Sequence, residues 1–400
     1  MASESAAVYA QSVIRVISAD DIRQYRIVRP GAGQREALWC GVLMTATLCL
    51  IDAVDECNDV GAAARSRRMQ MQDAFARRGG TLVALDYRRA FEQALPEAQW
   101  YKFDAPGQNE ALDAWWSQIG AEQLSRPSPR RRAFGEVYAR DEWFAGFAWV
   151  LRAIAAKAQR WVNDAESILA MTDKLLCQQR LAQVGIAVPP TMGEVTSFDE
   201  LRERMNATGC ERVFVKSRFG SSASGVVALR RSGGRWRASA AGVVDGGRLF
   251  NTLKVREFGE PREIAALIDT LCASGSVYAE RWIAKPRAPG GGSFDLRVVV
   301  HRGAPRQRIA RCANGPITNL HLGNRREVPL WLAPSETAAA EQTAANVAQQ
   351  FPGAAVFGAD LIVTARGAWV IEVNAFGDHL HEVTHEGASA FDDQAAWMCG

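Results

Sequence analysis

Two apolar runs late in the chain, Phe357 to Val363 (FGADLIV) and Trp369 to Asn374 (WVIEVN), are each broken by a single carboxylate. Both read as β-strands joined by a short turn. With Ala365–Arg366–Gly367 as a three-residue loop, and Gly367 as its left-handed residue, Asp360 and Glu372 stand directly opposite each other. Asn374, two residues beyond Glu372, shares their face. A two-residue loop would slip the register by one and turn Asp360 to the other face.

Upstream the same patterning predicts further strands over Arg212–Lys216, Val226–Leu229, Val277–Ile283, Leu296–His301 and Arg308–Cys312. Thr172 is expected to cap a helix running through Leu181 and closed by Gly185. Ile186 to Pro190 (IAVPP) is then extended, because a residue before proline avoids the α region. Ser197 starts the next helix with Glu200 three residues on, a capping-box spacing, and Gly209 lies near its end.

The first 165 residues are patterned less clearly. Val13 to Ile17 reads as a strand, Ser66 to Arg78 as a helix closed by Gly79–Gly80, and Thr81 to Leu85 as the strand after it. That alternation favours an α/β layer. Leu124 to Arg132 (LSRPSPRRR) reads as an exposed basic loop. Asp141 to Ala156 reads as a helix whose Trp143, Phe144, Phe147 and Leu151 face a core.

Composition narrows the class of protein. In 400 residues, hydrophobic types make up 48% and charged types 23%, ordinary values for a globular chain and not for a disordered one. At roughly 150 residues per domain the length suggests two or three domains. Lys+Arg is 47 against Asp+Glu 44, too balanced for a nucleic-acid binder. The longest apolar run, Leu38 to Ile51, is shorter than the about 20 residues of a membrane-spanning helix, so no membrane association is expected. No signal-peptide pattern opens the chain. The eight cysteines form no CxxC pair, which suits reduced thiols and a cytoplasmic location.

The chemistry concentrates in two places. Lys216 ends a strand and is followed by a small-residue loop, Ser217 to Gly225 (SRFGSSASG), of the kind whose backbone N–H groups approach phosphate oxygens. No GxxxxGK[ST] sequence occurs. The hairpin supplies the second place. Adjacent carboxylates repel unless a cation lies between them, and all-oxygen donors suit Mg²⁺ with substrate phosphates. Asp295 and Arg297 alternate on one strand face, Arg311 ends another strand, and Thr318 and Asn319 follow. Such cations near phosphate stabilise charge that develops in phosphoryl or acyl transfer. His379, His381 and His385 have a spacing open to a transition metal, or they shape the pocket beside Asn374.

From about Asp173 to Asp378 these motifs, in consecutive order, resemble the ATP-grasp superfamily. DKLLCQQRLAQVGIAVPPT looks like its opening segment, which implies Lys174 as a nucleotide ligand. RVFVKSRFGSSASGV resembles the second lysine with its phosphate-covering loop, implying Lys216, Gly220, Ser221, Ser222 and Gly225. VYAERWI resembles the hinge that receives adenine, implying Glu280, Arg281, Trp282 and Ile283. SFDLRVVV followed by ITNLHLG is similar to the RimK-like branch, implying nucleotide contacts at Asp295 and Asn319. FGADLIV with WVIEVNAFGD is similar to the metal-binding hairpin, implying Asp360, Glu372 and Asn374. GEVYARDEWFAGFAWVLRAI and DHLHEVTHEG resemble a bacterial subfamily of the same fold.

The resemblance implies an α/β chain of α+β lobes. An N-terminal α/β pre-ATP-grasp-like domain would span 1–165, a central lid subdomain 166–276 and a C-terminal metal-binding subdomain 277–400. It also implies ATP, with one or two Mg²⁺ ions or Mn²⁺ in their place. A substrate carboxylate, on a small molecule or a peptide, would become an acylphosphate and then be joined to an amine or a thiol. Arg297 and Arg311 would hold that acylphosphate. The alternatives are a peptide-modifying ligase of a biosynthetic cluster and an ATP-binding regulatory protein without turnover.

Overall fold

The computed structural model describes residues 46–54, 62–107, 109–220, 223–318, 323–364, 367–377, 380 and 382–400. The strand read at Val13 to Ile17 lies outside them. The first layer is a parallel sheet of β1 (Thr47–Asp52), β2 (Thr81–Asp86) and β3 (Trp100–Phe103), in the order β2-β1-β3. Helix α1 (Ala62–Ala76) links β1 to β2, and Gly79 takes a positive φ just beyond it. Helix α2 (Tyr87–Glu92) follows β2, with the Asp86 carboxylate accepting from Arg88 and Arg89 N–H at its start.

Helices α3 (Glu110–Gln123) and α4 (Arg140–Ala155) pack backbone to backbone through two glycines. A Cβ on Gly120 would lie 1.7 Å from the Glu142 carbonyl oxygen, and one on Gly146 1.8 Å from that of Trp116. Trp143, Phe147 and Leu151 are buried as their spacing predicts. Phe144, partly buried, packs against the same core and also stacks at 4.0 Å on Phe219, in the loop of the second layer. The loop over Leu124 to Arg132 is largely exposed, yet its arginines are anchored: Arg132 meets Asp113 at 2.6 Å and Arg130 donates to Glu136 at 2.9 Å.

Helix α5 (Ala165–Thr172) runs almost directly into α6 (Lys174–Gln183). This corrects the expected cap. Thr172 closes α5, its hydroxyl donating to the Ile168 carbonyl at 2.7 Å. Asp173 is the one extended residue between the helices, and its carboxylate accepts the Leu176 N–H at 3.1 Å.

The second layer is an antiparallel sheet of β4 (Thr191–Glu194), β5 (Arg212–Ser217), β6 (Val226–Ser232), β7 (Arg235–Asp245), β8 (Arg248–Phe258) and β9 (Val277–Arg281). Their order is β4-β9-β5-β6-β7-β8. Helices α7 (Phe198–Ala207) and α8 (Pro261–Ala273) cover one face, burying Leu201, Met205, Ile264 and Leu271 against Val213, Val215 and Leu229. Ser197 caps α7 as expected; Glu200 reaches back one residue further, to the Thr196 N–H at 2.8 Å.

The third layer is an antiparallel sheet of β10 (Ser293–His301), β11 (Ala304–Ala313), β12 (Arg325–Glu327), β13 (Val356–Thr364) and β14 (Gly367–Asn374). Their order is β12-β11-β10-β13-β14. Helix α9 (Pro334–Gln349) packs Ala340, Ala344 and Val347 on the face that carries Leu296, Val298, Leu361 and Val370. Helix α10 (Ala390–Cys399) returns to the first layer, where Phe391, Ala395 and Met398 join Leu48, Met71 and Phe75. Among the described residues no helix is long and apolar enough to cross a membrane, and the six described cysteines are free thiols.

Candidate active site

The third sheet has one face toward α9 and one face of charge. Alternation along β10 sends Leu296 and Val298 to the helix and leaves Asp295 and Arg297 on the other side. Across the ladder Arg297 faces Asp360, Asp295 faces Arg311, and Asp360 faces Glu372. The predicted opposition of the two hairpin carboxylates therefore stands, by a different route. Thr364 pairs with Gly367, so the turn holds two residues rather than three. A β-bulge restores the register: Leu361 pairs with Val370 and Asp360 with Glu372, leaving Ile371 as the extra residue.

Each charge on this face has a partner. Asp360, 2% exposed, accepts a bidentate pair from Arg297, with Nη2 at 3.1 Å, and lies 3.0 Å from Arg311 Nη2. Asn374 Nδ2 is 3.4 Å from the same carboxylate. Asp295 is fully buried and accepts from Arg311 Nε at 2.7 Å, from Lys285 at 2.9 Å and from the Thr318 hydroxyl. Burial pushes its carboxyl up, but Arg311 and Lys285 outweigh burial and hold it down at about 2. Burial lowers the Lys285 ammonium, and Asp295 offsets part of that. Glu372 meets Lys174 at 2.9 Å; burial raises its carboxyl, and Lys174, then Lys216 and Arg297, bring it below its ordinary value.

The second sheet closes the other side. Lys216 on β5 pairs at 2.5 Å with Glu280 on β9, and Gln178 on α6 donates to the second Glu280 oxygen. Lys174, the first residue of α6, also donates to the Gly220 carbonyl. Together these residues line one cleft. Its apolar wall is Pro189, Phe214, Val226, Ile283, Ile317, Ile362 and Ile371.

Of the residues singled out from sequence, Lys174, Lys216, Gly220, Glu280, Ile283, Asp295, Arg311, Asp360 and Glu372 line this cleft. Arg297 and Asn374 sit behind it on Asp360. Gly225 lies at the base of the loop, its carbonyl accepting the Ser217 N–H, and Trp282 packs on Phe214 with ring centres 5.1 Å apart. Arg281 is exposed at the end of β9. Ser221, Ser222, Asn319, His379 and His381 lie outside the described residues. His385 is in the turn before α10, 3.8 Å from Glu386, and is not among the cleft-lining residues. Lys285 was missed. It lies in an irregular segment between β9 and β10, where no periodicity marks a side chain as inward.

No family model matches the chain. A probable alpha-L-glutamate ligase of Xanthomonas campestris pv. campestris is 28% identical over 228 residues, or 56% of this chain and 65% of that protein. The chain thus spans just under two thirds of the length of the curated relatives it matches. Among solved structures, D-cycloserine synthetase DcsG superposes with a TM-score of 0.55 at 15% identity, covering 88% of this chain and all of that one. D-alanine–D-alanine ligase from Bacillus anthracis, solved with ATP, gives 0.51 at 12% identity over 89% of this chain and 95% of its own. A RimK domain ATP-grasp protein from Sphaerobacter thermophilus gives 0.51 at 14% identity, covering 89% of this chain and all of that one. The likeness to these three structures shows that the chain has the ATP-grasp fold.

Proposed function

We propose that this protein is an ATP- and magnesium-dependent ligase that activates a substrate carboxylate as an acylphosphate and joins it to an amine or a thiol. One observation carries the reading: Lys174 and Lys216 share a single apolar-walled cleft with the opposed carboxylates Asp360 and Glu372. In this reading residues 1–165 form the pre-ATP-grasp-like domain, 166–276 the lid and 277–400 the metal-binding subdomain.

The two lysines hold the nucleotide phosphates, and the wall of Phe214, Ile283 and Ile362 takes the base. Asp360, Glu372 and the Asn374 amide oxygen are an oxygen-only set. Among the described residues no three His, Cys, Asp or Glu side chains gather as a metal cage. That suits Mg²⁺, which takes one or two carboxylates and completes its shell with phosphate oxygens and water. Bound there, the ion would neutralise charge between the phosphate oxygens.

A substrate carboxylate oxygen attacks the γ-phosphorus, and the bond to ADP breaks. The incoming nucleophile then adds to the acyl carbon, its proton is lost, and the C–O bond to phosphate breaks. Arg311, at the cleft wall, stabilises the acylphosphate and its tetrahedral successor. Arg297 donates from Nε and Nη2 to Asp360 and is assigned to holding that carboxylate instead. The curated relative's name makes an amino acid the first nucleophile to try, with small-molecule and peptide acids as its partners. The test is release of ADP and phosphate with ATP, Mg²⁺ and acid–amine pairs. Undiminished turnover in Asp360→Asn and Glu372→Gln would refute the site.

A further inference from the structure

The two cleft lysines are not equivalent. Lys216 is ion-paired with Glu280 within its own sheet, and only its longer-range charge reaches Glu372. Lys174 reaches the hairpin: its ammonium lies 2.9 Å from Glu372 Oε1 and donates as well to the Gly220 carbonyl in the β5–β6 loop. Two of its three protons are thus committed, one to each side of the cleft. The carboxylates differ in the same way. Asp360 is closed off by Arg297 and Arg311, whereas the Glu372 side chain keeps 29% of its surface exposed. Glu372 is therefore the hairpin carboxylate that an arriving cation meets first, and in this structure a lysine ammonium already neutralises it.

We propose that Lys174 is a latch that competes with the divalent metal for Glu372 and is drawn off by nucleotide phosphate, so that nucleotide and metal binding are coupled through this one side chain. The proposal rests on the ligase reading for what occupies the cleft. A polyphosphate carries more charge than the one carboxylate and one carbonyl that now hold Lys174, so the ammonium moves to it. Glu372 is then left without a counter-charge and gains affinity for the metal. Linkage makes the coupling reciprocal: metal on Glu372 frees Lys174 for phosphate.

The test uses Mn²⁺ alone, with the full-length protein and no nucleotide, read by the paramagnetic resonance signal of free Mn²⁺. Wild-type protein binds weakly. Lys174→Met and Lys174→Gln are expected to bind Mn²⁺ more tightly by roughly 5- to 150-fold, the usual span of coupling between sites. Lys174→Arg, which keeps the charge, stays weak. Lys216→Met gains far less than the Lys174 variants, and Lys174→Met combined with Glu372→Gln loses the gain. Unchanged affinity in both neutral Lys174 variants overturns the latch, as does an equal gain in Lys216→Met, which would mark a general charge effect. A further arm adds ADP to the wild type. Mn²⁺ binding that depends on Glu372 with ADP, together with no gain from removing Lys174 in the nucleotide-free arm, sinks the latch alone. Mn²⁺ binding insensitive to Glu372 in every arm sinks the metal reading beneath it.

Discussion

Glu372 stands directly across the ladder from Asp360 although the turn between their strands is one residue too short for that opposition. Ile371 makes up the difference. It is the extra residue of the bulge, and its side chain lines the cleft next to that of Glu372. Without a bulge Ile371 would pair with Asp360, and Glu372 would turn toward α9. The bulge therefore places two consecutive side chains, one apolar and one acidic, on the functional face.

Deleting Ile371 gives an unexpected outcome on this geometry. The remaining sequence, Trp369-Val370-Glu372-Val373-Asn374, alternates perfectly and keeps the glutamate opposite Asp360 in a flat ladder. The deletion variant should fold and retain Glu372-dependent Mn²⁺ binding with ADP, while its KM for ATP rises through loss of the apolar wall. Loss of that metal binding in a folded protein would show that the bulge positions the carboxylate itself.

The Lys216–Glu280 pair is nearly buried, so its halves are unequal to the whole. Lys216→Met strands Glu280 without its ammonium and should cost about 3–5 kcal/mol of stability. Adding Glu280→Gln should recover much of that stability and none of the ATP affinity. Calorimetric melting and nucleotide titration on the two variants separate the effects. Recovery of both would remove Lys216 from nucleotide binding.

Asp295 anchors two cations, Lys285 and Arg311, at once. Its carboxyl is held at about 2 against an ordinary 3.8. A carboxyl lowered by folding stabilises fully above its unfolded value and loses that contribution as pH falls through the folded one. Melting temperature should therefore drop between pH 4 and pH 2 in the wild type. In Asp295→Asn that part of the slope should be missing, on a baseline lower by about 3–5 kcal/mol, because buried Lys285 loses its carboxylate and Arg311 keeps only Asp360. Parallel pH profiles for the two proteins would contradict this.

Gly146→Ala reverses the usual preference. In an exposed helix alanine is favoured over glycine by about 1 kcal/mol. Here the added methyl meets the Trp116 carbonyl, which belongs to the backbone of a neighbouring helix and cannot swing away. The helices must separate, at a cost of about 1–3 kcal/mol or more. A melting temperature equal to or above that of the wild type would refute the close contact.

The site was more legible than the layer that leads to it. Asp360, Glu372, Lys174 and Lys216 stand out because each charge interrupts an apolar strand or opens a helix, and burial beside a pocket is the physical cause of that pattern. The register was readable, whereas its mechanism was not, since a short turn with a bulge and a longer turn without one leave the same spacing. Strand β7 escaped notice because Ala238, Ala240 and Gly242 are too small to mark an apolar face. The cap moved from Thr172 to Asp173 because both residues can cap, and only the extent of α5 decides between them.

Helix α10 completes the hydrophobic face of the first sheet. A ribosome delivers Leu48, Met71 and Phe75 long before Phe391, Ala395 and Met398, which pack against them. Until α10 is made, the first sheet therefore waits with part of its apolar side uncovered, and parallel strands are already slow to pair. Production of this protein should depend on whatever shields that surface in the interval, and loss of α10 should be felt first in the layer made before it.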